Sequence, residues 1–177
     1  MSYSDSRLLL SSQREGQVSR FRAWVFMAVP LAAVLFQVYV PLFFSFLSFL
    51  DMPLLVVIYF AVVRRSQIGG LALGAAVGLA QDSLSKNYLG MFGIANTMVG
   101  YLAASVGMRI DVDHGFIRLV ITFVFYLLHH FLYWVLGRAL LGQQITFELK
   151  STLMLALLNA VVGMAFYVFL DKFRETS

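Results

Sequence analysis

Few side chains in this sequence suit chemistry, and most stand among apolar residues. Gln81-Asp82 ends a glycine-rich run, Asp51 precedes Met52-Pro53, and His129-His130 lie among Tyr126, Tyr133 and Trp134. An aspartate at the centre of a membrane helix costs about 2.5 to 3.5 kcal/mol on insertion scales. It persists at a helix end, in water, or with partners inside the protein. The two imidazoles suit a proton relay, but adjacent helical residues point about 100° apart and share one site poorly. Hydrogen bonding across helices is the simpler reading for them. Asp111-Val112-Asp113-His114 offers too few ligands at usable spacing for a metal. The absence of cysteine removes disulfides, thiolate metal sites and cysteine nucleophiles. No HExxH, phosphate loop or serine-nucleophile motif occurs, and no apolar run holds a pair of carboxylates at helical spacing. The chain therefore reads as non-enzymatic, with no cofactor and no metal.

The elements that must position these residues follow from composition. Of 177 residues, 60% are hydrophobic and only 12% charged, with mean hydropathy +0.83. A soluble domain averages about half apolar and about a quarter charged, and one of this size could not hide so much apolar surface. Disorder, a fibrous repeat and nucleic-acid binding are excluded by the same figures. The pI near 9.6 reflects a net charge of only +4. Lipid must be the solvent for most of the chain.

Six apolar runs read as transmembrane helices: Trp24 to Phe44, Leu47 to Val63, Ile68 to Gln81, Tyr88 to Met108, Phe116 to Leu136, and Ser151 to Leu170. The third would be only about 21 Å long, short of a hydrocarbon core of about 30 Å. The expected organisation is a basic tail over 1–23, a six-helix bundle over 24–171 and a short tail over 172–177. Arg7, Arg14, Arg20, Arg22, Arg64, Arg65, Arg109, Arg118, Lys172 and Arg174 are ten of the thirteen basic residues. All ten fall on one side of this topology, which makes both termini cytoplasmic. The segment from Arg7 to Arg22 suits either an anionic lipid surface or a disordered tail.

Small residues mark packing faces. Gly70, Gly74 and Gly78 form one stripe, and Asp82 continues it a turn further. Gly90, Gly93, Asn96, Gly100 and Tyr101 mark a second face on the next helix, and Asn159 with Gly163 a third. Such spacing lets backbones approach closely, so helices three and four are expected to form an antiparallel hairpin. Homodimerisation through the glycine stripe is the sharper alternative.

Asp82 falls at the outer end of a helix too short to span, and Asp51, Arg138, Glu148 and Lys150 lie on the same side. Irregular backbone at membrane depth survives only when buried in protein or lining a wet cavity. The expectation is an outward polar depression lined by Asp82, Gln81, Asp51, Lys86, Asn87, Arg138 and Glu148. The alternative for Asp82 is a local structural role, capping the next turn and pairing with Lys86. The loop from Gly137 to Lys150 reads as an interfacial segment or plain loop.

The run from Gly74 to Leu84, with Gly78-Leu79-Ala80-Gln81-Asp82, then Tyr88-Leu89-Gly90-Met91, then Val99-Gly100-Tyr101-Leu102-Ala103, is similar to the signature of the rod shape-determining protein MreD family. Length, six spans and cytoplasmic termini agree, and Asp51-Met52-Pro53 with Arg64-Arg65 looks like the family's second helix. Family members often carry glycine where this chain has Lys86-Asn87. The resemblance implies an all-α membrane bundle similar to the substrate-binding subunits of energy-coupling-factor transporters. It also implies an inner-membrane scaffold of the bacterial cell-elongation and peptidoglycan synthesis machinery that binds MreC. RodA, a penicillin-binding transpeptidase and, indirectly, MreB would be further partners. On this reading the outer depression grips MreC beside the membrane, a membrane groove takes its single helix, and Asp82→Ala weakens binding without unfolding. Two other classes stay open. Ala28 and Ala32 resemble the small-residue contact of vitamin-binding transport subunits, and His129 or His130 would serve an intramembrane enzyme.

Overall fold

Apolar helices with glycine or alanine on their contact faces pack into a six-helix bundle in the computed structural model, which describes residues 20–21, 23–85, 88, 90–112, 114–144 and 146–175. The basic tail to residue 19, Lys86, Asn87 and Asp113 lie outside the described residues. The helices are α1 (Ala23–Tyr39), α2 (Met52–Arg64), α3 (Gln67–Leu84), α4 (Met91–Gly107), α5 (Gly115–Leu141) and α6 (Leu149–Asp171). Segments Trp24–Leu42, Gly115–Leu141 and Leu149–Asp171 are long and apolar enough to cross a membrane. A two-residue strand β1 (Arg20–Phe21) pairs antiparallel with β2 (Arg174–Glu175). Both ends of the helical domain therefore lie at one end of the bundle, here the near end.

Helix α2 is the centre. Pro53 through Val63 are all buried, so this helix meets protein on every side. Its thirteen residues reach only about 20 Å, so one end must stop short of the bundle's full depth. At its start Asp51 caps the first turn, accepting the Leu54 N–H at 3.2 Å. At its end Arg65 adopts a left-handed conformation, φ 53°. The expected first helix also stops early. The chain leaves α1 at Tyr39, and two tight turns, Val40–Leu42 and Ser45–Phe49, lead back to α2. Pro41 sits in the first of them, where its missing N–H costs nothing.

Helix α3 is longer than the apolar run suggests. Ser66 caps its start, and helical pairing continues through Ser83 and Leu84, giving about 27 Å. Helix α5 likewise runs on to Leu141, which shortens the expected loop from Gly137. At the near end Arg118, expected as a loop charge, lies in the opening turns of α5 and pairs with Asp171. Asp171 also accepts from the Tyr59 hydroxyl at 2.8 Å, so α2, α5 and α6 are tied together there.

The glycine stripe is an internal seam. A Cβ at Gly70 would collide with the Gly100 carbonyl, one at Gly74 with the Asn96 carbonyl, and one at Gly78 with the Phe92 carbonyl. The predicted α3–α4 hairpin is present. Homodimerisation through the stripe is overturned, because α4 already occupies it. Gly90 and Tyr101 are also corrected as packing residues. Nothing lies near a Cβ built at Gly90, whose φ is +98°, and Tyr101 is exposed.

Candidate functional site: a recessed polar cavity

The far end of the bundle is organised by two buried polar side chains, and neither faces outward. Asp82, only 1% exposed, accepts three backbone N–H bonds: from Gly90 at 2.9 Å, Phe92 at 3.1 Å and Gly93 at 2.9 Å. The first N–H groups of a helix lack internal partners and carry partial positive charge. Gly90 holds the left-handed N-cap position of α4 and has no side-chain oxygen to offer. Asp82 supplies that oxygen from the preceding helix. Of the two readings of Asp82, the capping of the next turn is the one the structure shows, and the side chain is a structural anchor behind the cavity, not an outward wall.

Asn159 is the second anchor and is fully buried. Its carbonyl oxygen accepts the Asp51 N–H at 2.8 Å, and its amide donates to the Phe49 and Leu155 carbonyls at 2.8 and 3.0 Å. It pins the returning chain to the middle of α6. Replacing it with leucine strands the part-buried Asp51 N–H and Phe49 carbonyl, each at about 1 kcal/mol, the low end of the cost of an unmet polar group. Asn159→Leu is expected to lower the unfolding midpoint in detergent strongly. An unchanged midpoint would count against the clamp.

Between these anchors lies a cavity of about 260 Å³. Its polar lining includes Asp51, Gln37, Gln81, His129 and His130, and its aromatic lining Phe49, Phe92, Tyr126 and Tyr133. Gln37 accepts the Met52 N–H at 3.2 Å, so α1 helps hold the cavity floor. Gln81 accepts from Asn96 at 3.4 Å. His129 stacks on Phe92 with centroids 5.9 Å apart, and His130 stacks on Tyr126 at 4.5 Å. His129 Nδ1 lies 3.8 Å from an Asp51 oxygen.

Of the expected site residues, Asp51 and Gln81 meet in this cavity. Asp82 is behind it, and Lys86 and Asn87 lie outside the described residues. Arg138 stands at the end of α5 over the Trp134 ring, 5.4 Å from its centroid. Glu148 is the residue before α6, and neither residue lines the cavity. The histidine expectation is also corrected. Both rings line one cavity, and they meet edge to face, 5.9 Å apart. Among the described residues the expected hydrogen bonds across helices do not form: both His129 ring nitrogens and His130 Nδ1 lack hydrogen-bond partners there. Gln37, legible only as a polar residue within the first span, and Phe92, which nothing in its local sequence marks, also line the cavity.

A helical bundle with three helices long and apolar enough to cross a membrane defines the class, a membrane protein. Residues 19–176 match the family described as rod shape-determining protein MreD. The chain belongs to that family, as the motif resemblance implies, and its role is in rod shape determination. No curated protein and no solved structure matches it.

Proposed function

We propose that this chain is a non-enzymatic scaffold of the cell-elongation machinery in the bacterial inner membrane, with both termini cytoplasmic. All six helices would cross, and MreC would be the direct partner. RodA, a penicillin-binding transpeptidase and MreB would be linked through that complex. The observation that carries this reading is an apolar groove of about 750 Å³ between α1 and α3. Helix α3 has two small faces. Its glycines are closed against α4, while Ala72, Ala76 and Ala80 line the open groove opposite Met27, Leu31 and Val34. Alanines four residues apart let a further helix approach closely in lipid, and MreC brings a single membrane helix.

Ala76 is exposed, so a larger side chain there fills the groove without disturbing the bundle. Ala76→Trp is expected to lower recovery of co-expressed MreC at least tenfold, a change of about 1.4 kcal/mol. Leu157→Trp, at an exposed position on α6, should leave recovery unchanged. Equal recovery with both variants would sink the assignment of the groove. The vitamin-like transport reading has one observation in its favour, the recessed cavity, whose contents are a separate question.

A further inference from the structure

We infer that the recessed cavity is a binding site for a small primary ammonium group. The inference does not depend on MreC binding or on transport. Asp51 brings a carboxylate to the cavity, with one oxygen used by its own helix cap and the other 3.8 Å from His129. Among the described residues no lysine or arginine pairs with it. The Asp51 side chain is only 14% exposed, and a carboxylate so largely withdrawn from water carries a desolvation cost that a cationic partner offsets. His129 is 1% exposed, yet among the described residues neither of its ring nitrogens has a hydrogen-bond partner, nor does Nδ1 of His130. Buried polar atoms are rarely left unsatisfied in native proteins.

These unmet demands define the ligand. The carboxylate requires positive charge. Each neutral imidazole has one nitrogen that accepts and one that donates. A primary ammonium offers three N–H donors and one charge, which suits the carboxylate and two imidazole acceptors together. Phe92 and Tyr126 add aromatic faces, which attract cations electrostatically. The volume of about 260 Å³ corresponds to eight or nine waters at about 30 Å³ each, ample for an alkylammonium. The same chemistry is carried by a free amine and by an ethanolamine lipid headgroup.

The test titrates propylammonium chloride into the full-length purified protein at constant ionic strength and follows Tm. The comparator is 1-propanol, of equal size but neutral. The expected result is a saturable rise in Tm with propylammonium and none with 1-propanol. Asp51→Asn should weaken the apparent affinity at least tenfold. Asparagine caps helices as well as aspartate, so α2 keeps its start. Native mass spectrometry from nanodiscs separates the two sources. Selective retention of phosphatidylethanolamine over phosphatidylglycerol, lost in Asp51→Asn, supports the headgroup. Propylammonium binding without lipid selectivity supports a free amine. Absence of a saturable shift in the wild-type protein, or an equal response to 1-propanol, overturns the site whether or not the variant folds.

Discussion

Asp82→Ala is expected to destabilise the fold by about 4 kcal/mol, since hydrogen bonds to a charged group are worth about 1.5 to 3 kcal/mol each and do not add fully. Three N–H groups at the start of α4 lose their acceptor together. They lie inside the α3–α4 seam, where Gly93 is buried, so water does not easily replace the carboxylate. Against a total stability of about 5 to 15 kcal/mol, that loss should appear as poor yield and a much lower unfolding midpoint. Asp82→Asn keeps one accepting oxygen and should fall between the two. An Asp82→Ala protein as stable as wild type would overturn the anchor. Reduced MreC recovery with this variant would report the collapse of α4's start, not a lost contact.

Gly74→Val is the second large effect. The added Cβ would meet the Asn96 carbonyl carbon at 2.7 Å and the Thr97 Cα at 3.0 Å. Both are backbone atoms, so no side-chain rotation relieves the clash and the two helices must separate. Overpacking costs about 1 to 3 kcal/mol where side chains adjust, and a backbone clash belongs at the top of that range or above. Ala76→Val, two residues along the same helix but on the open groove, should change stability by less than about 0.5 kcal/mol. Cysteine crosslinking between α3 and α4 checks the mechanism directly: Gly74→Val should lose the crosslink and Ala76→Val should keep it. Equal stability of the two variants would remove the distinction between the faces.

The helix count and the α3–α4 hairpin were legible because both rest on local pattern. Apolar run length sets a helix, and glycine every four residues sets a flat face. Helix ends were less legible. Ser83 and Leu84 extend α3, although polar residues there read as a stop, because the adjoining α4 start recruits Asp82 and keeps that turn wound. The alanine face of α3 was not singled out, since alanines in an apolar helix look like ordinary filler until the opposite wall is known. Asn159 was noticed as a packing residue, but its hydrogen-bond partners at Phe49 and Asp51 lie about a hundred positions away.

What the amino-acid order determined by itself was the solvent, the number of helices and the family. Composition, run length and a short motif are properties of neighbouring residues. What only tertiary structure decided was the direction in which each polar group points. Asp82 turned inward because α4 begins on a glycine that cannot cap itself. His129 and His130 came to share a cavity because α2 is short and the chain returns to it at depth, leaving space that packed side chains do not fill. Direction depends on which distant backbone donors and empty volumes lie nearby, and spacing along one helix carries no record of either.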